Sequence, residues 1–130
     1  MTRLTPLLST RPRAAQSALA VGGPVVFGIL CGILLASSET AYLLVSILSI
    51  LGGFFAGFEH PSPREGAIRG VLGGTLFGAF ILIAHEVDGR EAAADLPHPA
   101  ILLVVVTLVF GTLLGALGGY ARRRAERAAS

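Results

Sequence analysis

Four stretches of this chain are apolar for about 18 residues or more, with no charge in the middle of any of them. They run over 18–36, 41–58, 67–84 and 100–121, and only Arg69, in the first turn of the third, breaks the pattern. At 1.5 Å per helical residue, 18 to 22 residues span roughly 27 to 33 Å, which matches a hydrocarbon core of about 30 Å. Backbone groups in lipid must satisfy one another within a segment or a closed barrel. A barrel needs alternating polarity, and these runs are continuous. The expected fold is all-α: a polytopic membrane protein with four transmembrane helices in a compact bundle.

Composition agrees. Of the 130 residues, 53% are hydrophobic and 14% charged, with 17 glycines and no tryptophan. Soluble domains carry about 25% charged residues. A chain this short has too little interior to hide so much apolar surface from water. Pro24 follows Gly22 and Gly23 and starts or kinks the first helix. A cleaved signal peptide is the rival reading of that run, with arginines before it and Ala36-Ser37-Ser38 after it. Its length exceeds the usual apolar core of about 7 to 15 residues.

The arginines set the expected orientation. All ten basic residues are arginine. Arg3, Arg11 and Arg13 precede the first run; Arg64 and Arg69 lie between the second and third; Arg122, Arg123, Arg124 and Arg127 follow the fourth. In a four-span chain these regions share one face, and the other face holds only Arg90. Glu39, Glu86, Asp88, Glu91 and Asp95 lie on Arg90's side. The positive-inside rule then puts both termini in the cytoplasm and the protein in the inner (plasma) membrane. Residues 1–17 form a basic N-terminal segment, 18–121 the transmembrane domain, and 122–130 a basic C-terminal tail. Arginines so placed meet anionic lipid, so a nucleic-acid partner is not needed to explain them.

Glycine recurs every four residues within the spans. Gly66, Gly70, Gly74 and Gly78 mark the third; Gly111, Gly115 and Gly119 the fourth; Gly28 and Gly32 the first; Gly53 and Gly57 the second. Residues four apart share a helix face, and a bare face lets another backbone approach closely. These are the expected helix-packing residues, and they imply a tight bundle with little internal space. The stripes serve packing within the chain or a homo-oligomer interface; a glycine-lined conduit is the sharper alternative. Segments FGILCGILLA and GTLFGAFILIA echo each other, as do LGGFFAG and LGALGGY. The echo would make the protein two helical hairpins related by an axis along the membrane normal.

Little chemistry is on offer. No charge lies at mid-membrane depth, where ion-coupled transporters place one. The deep polar groups are Cys31, Ser46, Ser49, Thr75, Thr107 and Thr112. A lone cysteine excludes an internal disulfide. Glu59, His60, Arg64 and Glu65 could cluster in the loop after the second run, or merely form a connector in which Ser62 and Glu65 make a capping box. His85, Glu86, Asp88, Glu91, Asp95 and His98 crowd the other loop, but their spacing fits no tight metal signature. No metal or cofactor is expected, with His85, Asp88 and His98 as the nearest metal candidates. No nucleophile elbow, phosphate loop or HExxH string occurs, so no catalytic residue is expected.

The stretches Leu51-Gly52-Gly53-Phe54-Phe55-Ala56-Gly57-Phe58 and Glu65-Gly66-Ala67-Ile68-Arg69-Gly70, with Gly73-Gly74, lie within residues 51–74. They resemble small four-span prokaryotic membrane proteins of unknown function with glycine-zipper helices. That resemblance implies a helical membrane fold and supplies no activity. The leading expectation is a non-enzymatic membrane protein that self-associates or packs against another membrane subunit. The alternative is a small oligomeric channel or facilitator with Ser46, Ser49, Thr107 and Thr112 lining it. A membrane enzyme or metal sensor using His60 or His85 is the third class.

Overall fold

The computed structural model describes residues 16, 18–94, 96 and 99–129. Arg3, Arg11, Arg13, Asp95 and His98 lie outside the described residues. Four helices carry the fold: α1 (Gly23–Ser37), α2 (Glu39–Phe58), α3 (Pro63–Asp88) and α4 (Leu102–Ala129). Among the described residues there is no strand. All four helices are long and apolar enough to cross a membrane once the turn before α1 is included. Each leaves large apolar side chains exposed, such as Ile33, Leu48, Val71 and Leu113. Water would not tolerate that surface; acyl chains do. The chain is an integral membrane protein.

Local chemistry sets the helix ends. A single π-helical turn, Ala18–Gly22, leads into α1. Pro24 sits at its start, lacking an N–H and crowding the carbonyl four residues back, and a widened turn relieves both faults. Only Ser38 separates α1 from α2. Its extended backbone reverses the chain, its N–H donates to Leu34 O at 2.8 Å, and its hydroxyl accepts from Ala41 N at 3.2 Å. Ser62 caps α3 in the same way, accepting from Glu65 N at 3.3 Å. The helix runs to Asp88, four residues past the apolar run, because Gly89 closes it in the left-handed region at φ 74°. The fourth helix continues through the arginines to Ala129, so most of the 122–130 tail is helix. Alanine, arginine and glutamate favour that, and Arg122 pairs with Glu126 one turn on at 2.8 Å.

The antiparallel pair α3–α4 is the most extensively packed. Its seam is backbone against backbone. A Cβ on Gly66 would strike the Gly115 carbonyl, one on Gly70 the Gly111 carbonyl, and one on Gly74 the Thr107 carbonyl. Reciprocally, Gly115 faces the Gly66 carbonyl, and a Cβ on Gly111 would come within 2.6 Å of Gly70 O. Across this seam Thr107 Oγ1 donates to Gly74 O at 2.7 Å. The outer helices attach by the same device. Gly28 and Gly32 of α1 meet the Phe77 and Ile81 carbonyls of α3; Gly57 of α2 meets Gly115, and Gly118 of α4 meets the Phe54 carbonyl. Gly53 stands apart, with only Leu114 Cβ at 4.0 Å.

The two ends of the bundle differ. At the end carrying Ser38, the segment after α3 folds back, and Ala93 N donates to Leu35 O at 2.6 Å. Ala94 joins Cys31, Leu35, Tyr42, Phe77, Ile81 and Leu103 in an apolar core cluster. At the arginine-rich end, α1 and α2 leave a space between them. The expectation of little internal space therefore holds for the α3–α4 seam and fails there. The two hairpins are packed unlike each other: α3–α4 is closed along its length, α1–α2 is not.

A side chain in the seam must push backbones apart. Gly70→Leu is expected to lower stability by about 1–3 kcal/mol or more, whereas Gly22→Ala, with nothing within 4 Å, should leave the melting temperature unchanged. Thr107→Val keeps the volume and loses the interhelical bond, at a cost of about 0.6–1.7 kcal/mol in detergent unfolding.

Candidate functional site: an apolar cavity with an arginine at one end

A cavity of about 420 Å³ lies between the helices in their arginine-rich half. On one side stand Gly23, Pro24 and Phe27 of α1. On the other stand Leu48, Gly52 and Ala56 of α2. Its floor is the seam itself, Gly70, Gly74 and Phe77 of α3 with Thr107 and Gly111 of α4. Glycine makes this space. Neither Gly23 nor Gly52 has any atom within 4 Å of where a Cβ would stand. At these positions glycine withholds volume; at Gly70 or Gly115 it permits contact.

Arg69 is the charged group of the cavity wall. It lies six residues into α3, about 9 Å along the axis. Side chains on a helix tilt toward its N-terminus, which here is the arginine-rich end. The Arg69 guanidinium goes the other way: one of its terminal nitrogens lies 3.0 Å from where a Gly73 Cβ would be, one turn deeper. A side chain at position 73 would displace it. Glu59, at the end of α2, acts on this guanidinium electrostatically.

The other sequence-derived candidates are distributed as follows. Of the four proposed pore-lining groups, only Ser49 and Thr107 border the cavity. Ser49 donates to Val45 O at 2.7 Å, Thr112 to Leu108 O at 2.7 Å, and Ser46 reaches Cys31 Sγ at 3.6 Å. Each is spent on its own helix or the adjacent one. In the loop after α2, the His60 ring donates from Nδ1 to Ala56 O at 2.9 Å. Arg64 and Glu65 are exposed. Glu59 acts electrostatically on Arg69. At the opposite end Arg90 binds Asp88 through two hydrogen bonds of 2.8 Å and reaches Ser37 Oγ at 3.1 Å. The Asp88 carboxylate holds the Arg90 guanidinium above its ordinary pKa. His85 Nδ1 is buried without a hydrogen-bond partner. Among the described residues no three His, Cys, Asp or Glu side chains come together as metal ligands.

Arg122 is a residue that sequence reasoning missed. It was expected at the lipid surface with its neighbours, yet it is 6% exposed. Its guanidinium stands 5.4 Å above the Phe58 ring, donates to Phe58 O at 3.3 Å, and pairs with Glu126. The free carbonyls at a helix C-terminus need donors. Arg122 supplies one and ties α2 to α4. The Arg-x-x-x-Glu spacing from 122 to 126 was the available signal.

Comparison with known protein families, with curated proteins and with solved structures found no match.

Replacing Arg122 with Met should lower stability by about 1–3 kcal/mol in a detergent melt, since the Phe58 carbonyl loses its donor. Arg123→Met, at an exposed position, should be silent in the same measurement.

Proposed function

We propose that this protein is a non-enzymatic helical module that works by packing against other membrane molecules, either a second copy or another membrane subunit. One observation carries the reading. On the outer side of α4, Val106, Phe110, Leu113, Leu117 and Tyr120 are all exposed and recur at intervals of four and three residues. That is the spacing of a left-handed helix–helix seam, the commonest crossing in membrane bundles. The inner side of α4 is already committed to glycine contacts with α3, so the helix is held rigidly while its outer side stays available. Among the described residues no three His, Cys, Asp or Glu side chains converge, which is in keeping with a non-enzymatic role. The asymmetry of arginine supports an orientation with both termini in the cytoplasm.

Photo-cross-linking in native membranes tests the seam. In a Cys31→Ala background, Leu113→Cys and Leu117→Cys labelled with a benzophenone maleimide should cross-link to a second copy or to one defined partner. Absence of any adduct at all five seam positions would sink the proposal. Orientation is tested with single cysteines at Ser62 and Glu91, which should react with an impermeant maleimide from opposite faces; labelling from the same face would overturn it. A small facilitator is the second reading, drawn from the cavity. It requires solute flux in reconstituted vesicles above that of empty ones; the packing role requires none.

A further inference from the structure

We propose that the space between α1 and α2 at the arginine-rich end is a phospholipid site, with one acyl chain in the cavity and the lipid's phosphodiester on Arg69. This inference does not depend on how the outer side of α4 is used.

The first argument is volume. About 420 Å³ falls within the range of roughly 300–1,000 Å³ typical of small-molecule sites. The walls named above are mostly apolar, and the hydroxyls of Ser49 and Thr107 are already donating to helix carbonyls. Water needs two to four polar partners to occupy a site, and the acyl half of this space offers almost none. The space is only partly enclosed, and Phe27 and Leu48 on its two flanks are both exposed, so it communicates with lipid. In a bilayer the molecule at hand to fill it is an acyl chain.

The second argument is the glycines. Gly23 of α1 and Gly52 of α2 both line the space, and a Cβ at either would have no atom of another helix within 4 Å. A side chain at either position would therefore have open room beside the cavity. Along the α3–α4 seam glycine is met by close backbone contact; here it is met by room for a chain.

The third argument is charge. With its 26 residues α3 is about 39 Å long, close to the full bilayer with its headgroups. Arg69, about 9 Å from the start of α3, thus lies near the level where headgroup gives way to hydrocarbon. A guanidinium at that depth ordinarily turns outward to the interface. This one is directed along the cavity beside Gly73. The chemistry that fits a guanidinium at the head of an apolar slot is an oxyanion carrying a tail, and phosphate is its preferred bidentate partner. Glu59, at the end of α2, acts on the same guanidinium electrostatically but does not line the cavity. Zwitterionic and anionic phospholipids both carry the phosphodiester that Arg69 would bind.

The test uses the full chain extracted in mild detergent, with native mass spectrometry and phosphorus analysis of the bound fraction. Wild type should retain a phospholipid after repeated detergent exchange. Gly52→Leu and Gly23→Leu, which fill the slot from opposite sides, should each lose it while melting at the wild-type temperature. Arg69→Gln should weaken phospholipid retention by roughly tenfold or more, as expected for a lost charge-assisted bond. Titration with vesicles of phosphatidylethanolamine and of phosphatidylglycerol identifies the headgroup; a fatty acid that displaces neither leaves the phosphodiester assignment standing. The proposal is overturned if wild type carries no phospholipid, if both leucine variants retain it, if Arg69→Gln binds as wild type does, or if the extracted molecule contains no phosphate.

Discussion

The structure depends on one kind of contact, helix backbone laid directly on helix backbone. Inside a bilayer, burying a leucine against another leucine gains little over leaving it in lipid. Association must come from close van der Waals approach and from polar bonds that lipid cannot offer. The α3–α4 seam supplies the first at Gly66, Gly70, Gly74, Gly111 and Gly115, and the second at Thr107. The flanking helices are hung on this spine through their own glycines, α1 on α3 and α2 on α4. Arg122 then adds a single polar lock between α2 and α4.

From that spine the bundle diverges into two unlike ends. Near Ser38 the helices are drawn together by the fold-back of the segment after α3 and by the cluster around Leu35 and Ile81. At the opposite end a π turn and a proline lead into α1, and the close glycine contacts of that helix begin only at Gly28. The cavity lies between α1 and α2 there. Packing and open volume are thus allotted to different halves of the same four helices, and Arg69 on the cavity wall sits in the open half.

Much of the fold was legible in the chain because its signals are local. A continuous apolar run reads as a span wherever it occurs. Glycine at every fourth position reads as a face. Ser62 with Glu65 reads as a cap, and Asp88-Gly89 could have been read as a helix end. What escaped notice is non-local. A cavity is an absence of atoms bounded by three or four helices, and no short string spells it. Gly52 looks like Gly57 in sequence, yet one adjoins empty space and the other touches Gly115. Arg122 looks like Arg123, and only the docking of α2 beside α4 buries the first. Arg69 was visible as a charge in a first turn, but its deeper course depends on the missing side chain at Gly73.

The turn at Ser38 bears on how the chain enters the bilayer. One residue reaches at most about 3.6 Å, so α1 and α2 cannot be threaded one after the other with slack between them. In the proposed orientation, with both termini in the cytoplasm, they cross as a closed hairpin whose tip carries over Ser37, Ser38, Glu39 and Thr40. In that orientation the second hairpin carries over the whole stretch from Gly89 to Ile101, with its acids and Arg90. The work of biogenesis therefore falls on the later pair, the same two helices whose glycines make the tightest joint in the finished protein.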